Sequence, residues 1–570
     1  MKKKLITFLV VFVLILVVAA VGFGKPLYDK YSYGTEEADL DEYFHIPAGE
    51  EGSALAILLQ DERLSDLALQ QGGIIYFDMG TVRTYLTDIF YVDYKGGKVL
   101  ATTAGDTYEV AIGGTAYSSL GGMTDLGYPL CFEEGDSLYL AADYVRMFAS
   151  FSWKTYDRCV RLRTKWENYA AKKIIKDTQI RTLGGIKSPI LRQMKTGETV
   201  KVLEEMETWS KVITEDGFIG YVENKRMASA GEITETPEDP PELPPYTSIS
   251  LGEKVCLGFH AIGGPTGNDT LGSMLAEAKG INVIAPTWFS ISGDDGSYRS
   301  FASADYVAKA HAAGVQVWGV LDDFNYAGET GTAVSMLNIL SDTQVRKDLE
   351  QNLVRDALAL GMDGINLDFE KLTAECETHY AQFLRELSVL CRKNGLIFSA
   401  DNYVPFAFNN YQRLDVQGEV MDYVLIMGYD EHYHGSGDPG SVASISYITG
   451  GIERTAQMVP AEKILNALPF YTILWTTENG VTTDEYITLN NQAQFIANVG
   501  QTPIWDEETC QNYAEWTQGA KLYQIWLEDA DSISVKLNVM NAHEIGGVGV
   551  WRIGYGTDEV WNLISLYAHS

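Results

Sequence analysis

The chain has 570 residues, too many for one domain, and about three or four are expected. Hydrophobic residues make up 46% and charged residues 21%, which is ample material for packed cores. A formal net charge of -34 argues against nucleic acid as a partner, because its phosphates would be repelled. The cysteines Cys131, Cys159, Cys256, Cys376, Cys391 and Cys510 fall at no metal-like spacing, and a chain of this size folds without disulfide staples, so buried thiols are expected.

Residues 2 to 4 are lysines, and an apolar run follows from Leu5 to Phe23 with Thr7 as its polar interruption. About twenty apolar residues suffice to cross a bilayer as a helix, and the lysines would stay cytoplasmic. The segment 5–24 is therefore expected to be an uncleaved membrane anchor, with a cleaved signal peptide as the rival reading. Ala19 and Ala20 precede Val21-Gly22-Phe23-Gly24, a poor match to a small-x-small cleavage site. Either reading places the bulk of the chain outside the cytoplasm.

Residues 25–43 are polar and include the acidic cluster from Glu36 to Glu42, which suits a spacer. From 50 to 165 short β-rich runs are separated by Gly-rich turns; examples are Gly73-Ile74-Ile75-Tyr76-Phe77 and Lys98-Val99-Leu100-Ala101-Thr102. A short helix is expected at Ala141–Val145, ahead of a strand pair around Trp153 and Val160. This pattern resembles the amino-terminal stalk domain of copper amine oxidases. The resemblance implies a spacer or wall-contacting module and no copper.

A second small β unit is expected over 174–228, with strands at Ile190-Leu191, Thr199–Leu203, Trp209–Val212 and Gly220–Val222. Turns are marked by Lys195-Thr196-Gly197-Glu198 and Glu215-Asp216-Gly217. The order of these runs is similar to bacterial SH3-like domains, which implies either peptide or peptidoglycan binding or a spacer role. Between 229 and 247, Pro237, Pro240, Pro241, Pro244 and Pro245 stand among acidic residues. A stiff, extended linker is the physical expectation there.

From 248 to 570 strands and helices alternate. Candidate parallel strands are Val255–Phe259, Val283–Trp288, Val315–Leu321, Gly364–Phe369, Ile397–Asn402, Tyr423–Gly428, Ile464–Leu468 and Gly547–Trp551. Eight strands, most followed by a helix, predict an α/β fold of the (β/α)₈ TIM barrel type. Before the fourth strand, Val345, Leu349, Leu353, Ala357 and Leu360 recur at helical spacing, with Gly361 as terminator. After it, Tyr380, Phe383, Leu387, Leu390 and Cys391 form one face, stopped by Asn394-Gly395. The stretch from Tyr471 to about Leu522 is too long for a plain connection, and it predicts a small insertion beside the barrel mouth.

The fourth strand carries the chemistry. In Asp363-Gly364-Ile365-Asn366-Leu367-Asp368-Phe369-Glu370 the two-residue strand period sets Asn366, Asp368 and Glu370 on one face. A row of amide and carboxylates is costly to bury unless the site uses it. Catalytic residues in such barrels sit at the carboxyl ends of strands, which selects Glu370, Tyr429 with Asp430, and Trp551. Asp322-Asp323 either line the cleft or are solvated loop acids. Glu528 and Asp529 either reach the mouth or make a structural salt bridge. His260, His432 and His434 have no zinc spacing, so no metal or other cofactor is assigned.

Asp363-x-x-Asn366-x-Asp368-x-Glu370 resembles the DxxDxDxE signature of glycoside hydrolase family 18. Met427-Gly428-Tyr429-Asp430, Pro469-x-Tyr471 with Trp475, and Trp551 resemble its motifs on the sixth, seventh and eighth strands. Pro286-Thr287-Trp288-Phe289 and Trp526–Asp529 look like the branch of spore-cortex-lytic and germination N-acetylglucosaminidases. The resemblance implies cleavage of β-1,4 bonds next to N-acetylglucosamine, in a cell-wall or chitin-like polysaccharide, assisted by the substrate's own acetamido group. It assigns Glu370 as proton donor, Asp368 and Tyr429 as partners of that acetamido group, and Trp551 as the apolar floor. Tyr471 and Trp475 become candidate sugar contacts, Trp288 is either a further sugar platform or a core residue, and Asp363, Asn366 and Asp430 become supporting residues. Asn366 stands where many members have Asp, which predicts an amide donating to Asp368 and a single inner carboxylate. The rival reading is a catalytically silent carbohydrate-binding protein on the same barrel.

Overall fold

The computed structural model describes residues 2–19, 22, 24–49, 53–236, 241–324 and 334–569. The chain divides into two compact units. The first holds residues 1–88, 110–116 and 124–242, and the second holds 89–109, 117–123 and 243–570.

The first unit is built from β-sheets. A seven-stranded sheet includes Ala54–Leu59, paired parallel to Cys159–Arg163 and antiparallel to Glu62–Gln71. The expected short helix forms at Ala142–Arg146. A second seven-stranded sheet contains Ile190–Met194, Thr199–Glu205, Trp209–Ile213 and Ile219–Glu223, close to the expected strands. Its Glu215-Asp216-Gly217 turn needs its glycine. Gly217 has φ +88°, and a Cβ there would lie 2.6 Å from Cys159 Sγ. Strand Met227–Thr234 pairs with Asn168–Ile174, so the first residues of the expected linker at 229–247 are β-structure instead. Pro237 and Pro240 lie outside the described residues, and 241–247 form neither helix nor strand.

The expected membrane span over 5–24 finds no support in the described residues. The segment forms a helix, Lys2–Ala19, but among the described residues no helix is long and apolar enough to cross a membrane. Three of the 18 residues of this helix are lysines. Ala20, Val21 and Phe23 lie outside the described residues.

The second unit is dominated by a closed barrel. Its parallel strands are β1 (Val255–His260), β2 (Val283–Pro286), β3 (Gln316–Asp322), β4 (Gly364–Asp368), β5 (Ile397–Tyr403), β6 (Tyr423–Met427), β7 (Ile464–Pro469) and β8 (Gly547–Trp551). Each pairs with the next, and β8 pairs back to β1 through Val255↔Gly547, so the sheet has no edge. All eight expected strands are present within a residue or two of their predicted ends.

Two helices brace β4. Helix α1 (Thr343–Leu360) buries Leu349, Leu353 and Ala357 on the predicted face and ends at Gly361 with φ +75°. Helix α2 (Glu377–Asn394) buries Tyr380, Phe383, Leu387 and Cys391 and ends at Gly395 with φ +67°. Between them Arg346 donates from Nε to Glu386 Oε2 at 2.7 Å, and both side chains are buried. The hairpin Phe90–Asp93/Lys98–Thr102 belongs to this unit; its Tyr91 ring lies 4.7 Å from the Arg346 guanidinium. The insertion folds as a five-stranded antiparallel sheet from Tyr471 to Leu527, with helix Leu489–Val499 inside it.

A buried ion pair is costly to break because the surviving charge stays desolvated. Arg346→Ala is expected to lower barrel stability by about 3–5 kcal/mol, read as a reduced midpoint of its urea unfolding transition.

Candidate active site

The carboxyl ends of the barrel strands open into a cavity of about 970 Å³. Asp368 ends β4 and Glu370 follows two residues later, so strand alternation turns both into the cavity. The backbone beyond β4 is pinned by Asp323, whose carboxylate accepts the N–H groups of Glu370 at 2.9 Å and Lys371 at 2.8 Å. That clamp fixes where the Glu370 side chain starts. Tyr403, at the end of β5, donates its hydroxyl to Glu370 Oε2 and fixes where it ends.

Asn366 departs from the expectation drawn for it. Its fully buried amide donates to Asp401 Oδ1 at 3.0 Å and Ser399 Oγ at 3.1 Å, not to Asp368. The inner pair of carboxylates is also not reduced to one, because Asp401 of β5 supplies the second. Burial first, and then the neighbouring Asp401 charge, hold the Asp368 carboxyl well above the usual range. Burial pushes Asp401 up to about 8, partly offset by the Asn366 hydrogen bond. The charge of Asp401 thus opposes ionisation of Asp368. Asp368 Oδ1 is buried without a hydrogen-bond partner.

Glu370 is raised above its ordinary value, chiefly by burial, against the opposing hydrogen bond from Tyr403. Asp323 is pushed up to about 6 by burial, opposed by the two N–H groups it accepts. Asp322 lines the cavity and accepts Ser290 Oγ at 2.5 Å. The Asp322-Asp323 pair is thus part of the site, one acid on its wall and one beneath it.

Tyr429 and Asp430, just past β6, also line the cavity. Tyr471 donates its hydroxyl to Asp430 Oδ1 at 2.5 Å, and its ring packs edge-on against Tyr429 at 6.3 Å. Trp551 ends β8, half-exposed and 5.5 Å from the Phe259 ring, and presents an apolar surface to the cavity.

Five residues singled out in the sequence lie elsewhere. Trp288 is fully buried, with Nε1 donating to Asn268 Oδ1 at 2.8 Å, and Trp475 is fully buried, with Nε1 donating to Gly440 O at 2.9 Å. Both are core residues, because their indole N–H groups are satisfied inside the protein. Asp363 precedes β4 at the opposite end of the barrel, where it accepts the Val317 N–H at 2.7 Å and contacts His311 Nε2 at 2.7 Å. Its supporting role is to hold β3 to β4, remote from the cavity. Glu528 is fully buried against Lys536 and accepts Gln511 Nε2 at 2.6 Å, while Asp529 caps helix Ala530–Ala542, so neither reaches the mouth.

Asp401 and Tyr403 are the functional residues missed in the sequence. The signal for them is the same alternation that marks β4, since Ser399, Asp401 and Tyr403 fall two apart along β5.

The signs of two substitutions follow. Asp401→Asn removes a negative neighbour, so the Asp368 carboxyl is expected to fall toward the usual range and the acidic limb of the pH–rate profile to move to lower pH. Tyr403→Phe removes a donor that favours ionised Glu370, so the alkaline limb is expected to move to higher pH. Profiles of kcat/KM for the two variants check both directions.

Residues 286–556 match the family Glycosyl hydrolases family 18, and residues 176–228 match the Bacterial SH3 domain family. The chain is similar to the cortical fragment-lytic enzyme of Bacillus subtilis (strain 168), with 29% identity over 238 residues, 40% of this chain and 54% of that protein. It therefore spans about half the length of that relative. An uncharacterized glycosylase of the same organism, YvbX, is 23% identical over 292 residues, 50% of this chain and 84% of that one. Among solved structures, the C-terminal domain of a protein from Desulfitobacterium hafniense superposes with TM-score 0.50 at 17% identity, covering 55% of this chain and 99% of that one, a likeness of fold alone. The barrel with its carboxylate-lined cavity is a glycosyl hydrolase family 18 domain, carried in one chain with a bacterial SH3 domain.

Proposed function

We propose that this protein is a retaining glycosidase that hydrolyses β-1,4 bonds next to N-acetylglucosamine in cell-wall peptidoglycan, outside the cytoplasm. The observation that carries this reading is the pairing of Glu370, raised above its ordinary value by burial, with a buried Asp368 oxygen that no protein group satisfies. A 2-acetamido N–H on the bound sugar is the donor that Asp368 Oδ1 fits, and such a contact turns the acetamido oxygen toward the anomeric carbon. Peptidoglycan is favoured as the substrate by the relative described as a cortical fragment-lytic enzyme and by the accompanying SH3 domain.

In the first step the acetamido oxygen bonds to the anomeric carbon as the glycosidic C–O bond breaks. The electron pair leaves on the glycosidic oxygen, which takes the Glu370 proton. Asp368 stabilises the positive charge that develops on the acetamido nitrogen, and Tyr429 donates a hydrogen bond to the acetamido oxygen. Asp430 and Tyr471 hold Tyr429 in place, and Trp551 stacks beneath the ring. In the second step water attacks the anomeric carbon, gives its proton to ionised Glu370, and releases the acetamido oxygen. Two inversions leave the product with retained configuration.

The burial of Glu370 favours the protonated form that the first step needs. A carboxyl at its ordinary value would be ionised near neutrality and could not protonate the leaving group.

Glu370→Gln is expected to lose about 100-fold or more in turnover on peptidoglycan, the scale of general acid catalysis. Reducing-end release measures it, and proton NMR of the first-formed product is expected to show the β-anomer. Near-normal turnover in the variant, or an α-anomer from the wild type, would refute the assignment.

A further inference from the structure

The cavity holds cations beside its acids: Arg299, Lys371 and Arg552 all line it. Lys371 gives its ammonium to the Phe324 carbonyl, and the charges of Arg299 and Lys371 act on Asp322. Arg552 is placed differently. It follows Trp551 directly at the end of β8 and is half-buried. Its guanidinium lies over the Tyr555 ring at 4.4 Å and donates from Nη2 to the Tyr555 hydroxyl at 2.6 Å. Those two contacts hold the group still without neutralising it, and among the described residues it has no carboxylate partner. His260, on which the Arg552 charge acts, is kept neutral because burial and that charge push it down to about 4.

A chain with net charge -34 has acids in abundance, and this cavity has five of them. A guanidinium beside the sugar floor that pairs with none of them is poised for an anion brought by the ligand. Its planar fork, with most of its five N–H donors still unused, fits a carboxylate in two-point contact. We propose that Arg552 recognises a carboxylate carried by the sugar next to the one that stacks on Trp551, so that the cleft selects acidic glycans over neutral ones. This rests on the glycosidase reading above and narrows its substrate class. Neutral chitin-like chains lack such a group. In peptidoglycan it has two sources, the lactyl ether acid of a sugar stripped of peptide and a free carboxylate on a peptide stem.

The test is calorimetric binding to the full chain carrying Glu370→Gln, which removes turnover from the measurement. Two ligand pairs are compared: a tetrasaccharide bearing free lactyl acids against its methyl ester, and a peptide-bearing tetrasaccharide against its stem-carboxyl amide. At least one acid is expected to bind about 10- to 100-fold tighter than its neutral form, the scale of a charge-assisted contact. Adding Arg552→Gln is expected to bring that ratio near one, and Arg552→Lys to restore part of it. The lactyl pair discriminating assigns the stripped sugar, and the peptide pair discriminating assigns the stem. Ratios near one for both pairs, no measurable binding, or a ratio that survives Arg552→Gln would overturn the proposal. Binding through Arg552 without hydrolysis by the wild type would refute the glycosidase reading and leave this one standing.

Discussion

Burial of carboxyl groups at one end of a closed sheet is the constraint on which this site depends. Asp368 and Asp401 are buried and Glu370 and Asp430 partly so, and each is pushed above its ordinary ionisation range mainly by that burial. An arrangement of this kind is expensive in an open sheet, where water would reach the acids and return them to ordinary behaviour. Closure from β8 to β1 and the clamp of Asp323 under Glu370 fix where the acids stand. The cost is met elsewhere in the barrel, by the large apolar core between the strands and their covering helices.

The charge of Asp401 on Asp368 ties the fourth and fifth strands together. Asn366 couples them from beneath, since its amide donates to Asp401 and Ser399 on the neighbouring strand. Tyr403 couples them from above through Glu370. The unit that tunes the proton donor is thus a pair of adjacent strands. This accounts for an amide at residue 366 without loss of the second acid, because that acid arrives from the next strand.

The barrel was legible in the sequence because strand and helix periods alternate cleanly, and glycines such as Gly361 and Gly395 mark where helices stop. The face of β4 was legible for the same reason. The parity that placed Asn366, Asp368 and Glu370 inward also puts Asp363 out of phase and ahead of the strand, where the structure has it. Asp401 and Tyr403 are less legible, because the inward positions of β5 mix a serine, one acid and a tyrosine and form no row of acids like that of β4. Aromatic side chains beside strand ends carry no such phase. Trp288, Trp475 and Trp551 look alike in sequence, and only tertiary packing decides which indole N–H is satisfied in the core and which ring faces the cavity.

The central claim is that burial keeps Glu370 protonated where an ordinary glutamate is ionised. Its most direct test is a carbon-13 NMR titration of glutamate-labelled protein, with the Glu370 resonance assigned by its absence from Glu370→Gln. The account predicts a midpoint clearly above the ordinary value of about 4.3. A midpoint at or below that value would contradict it.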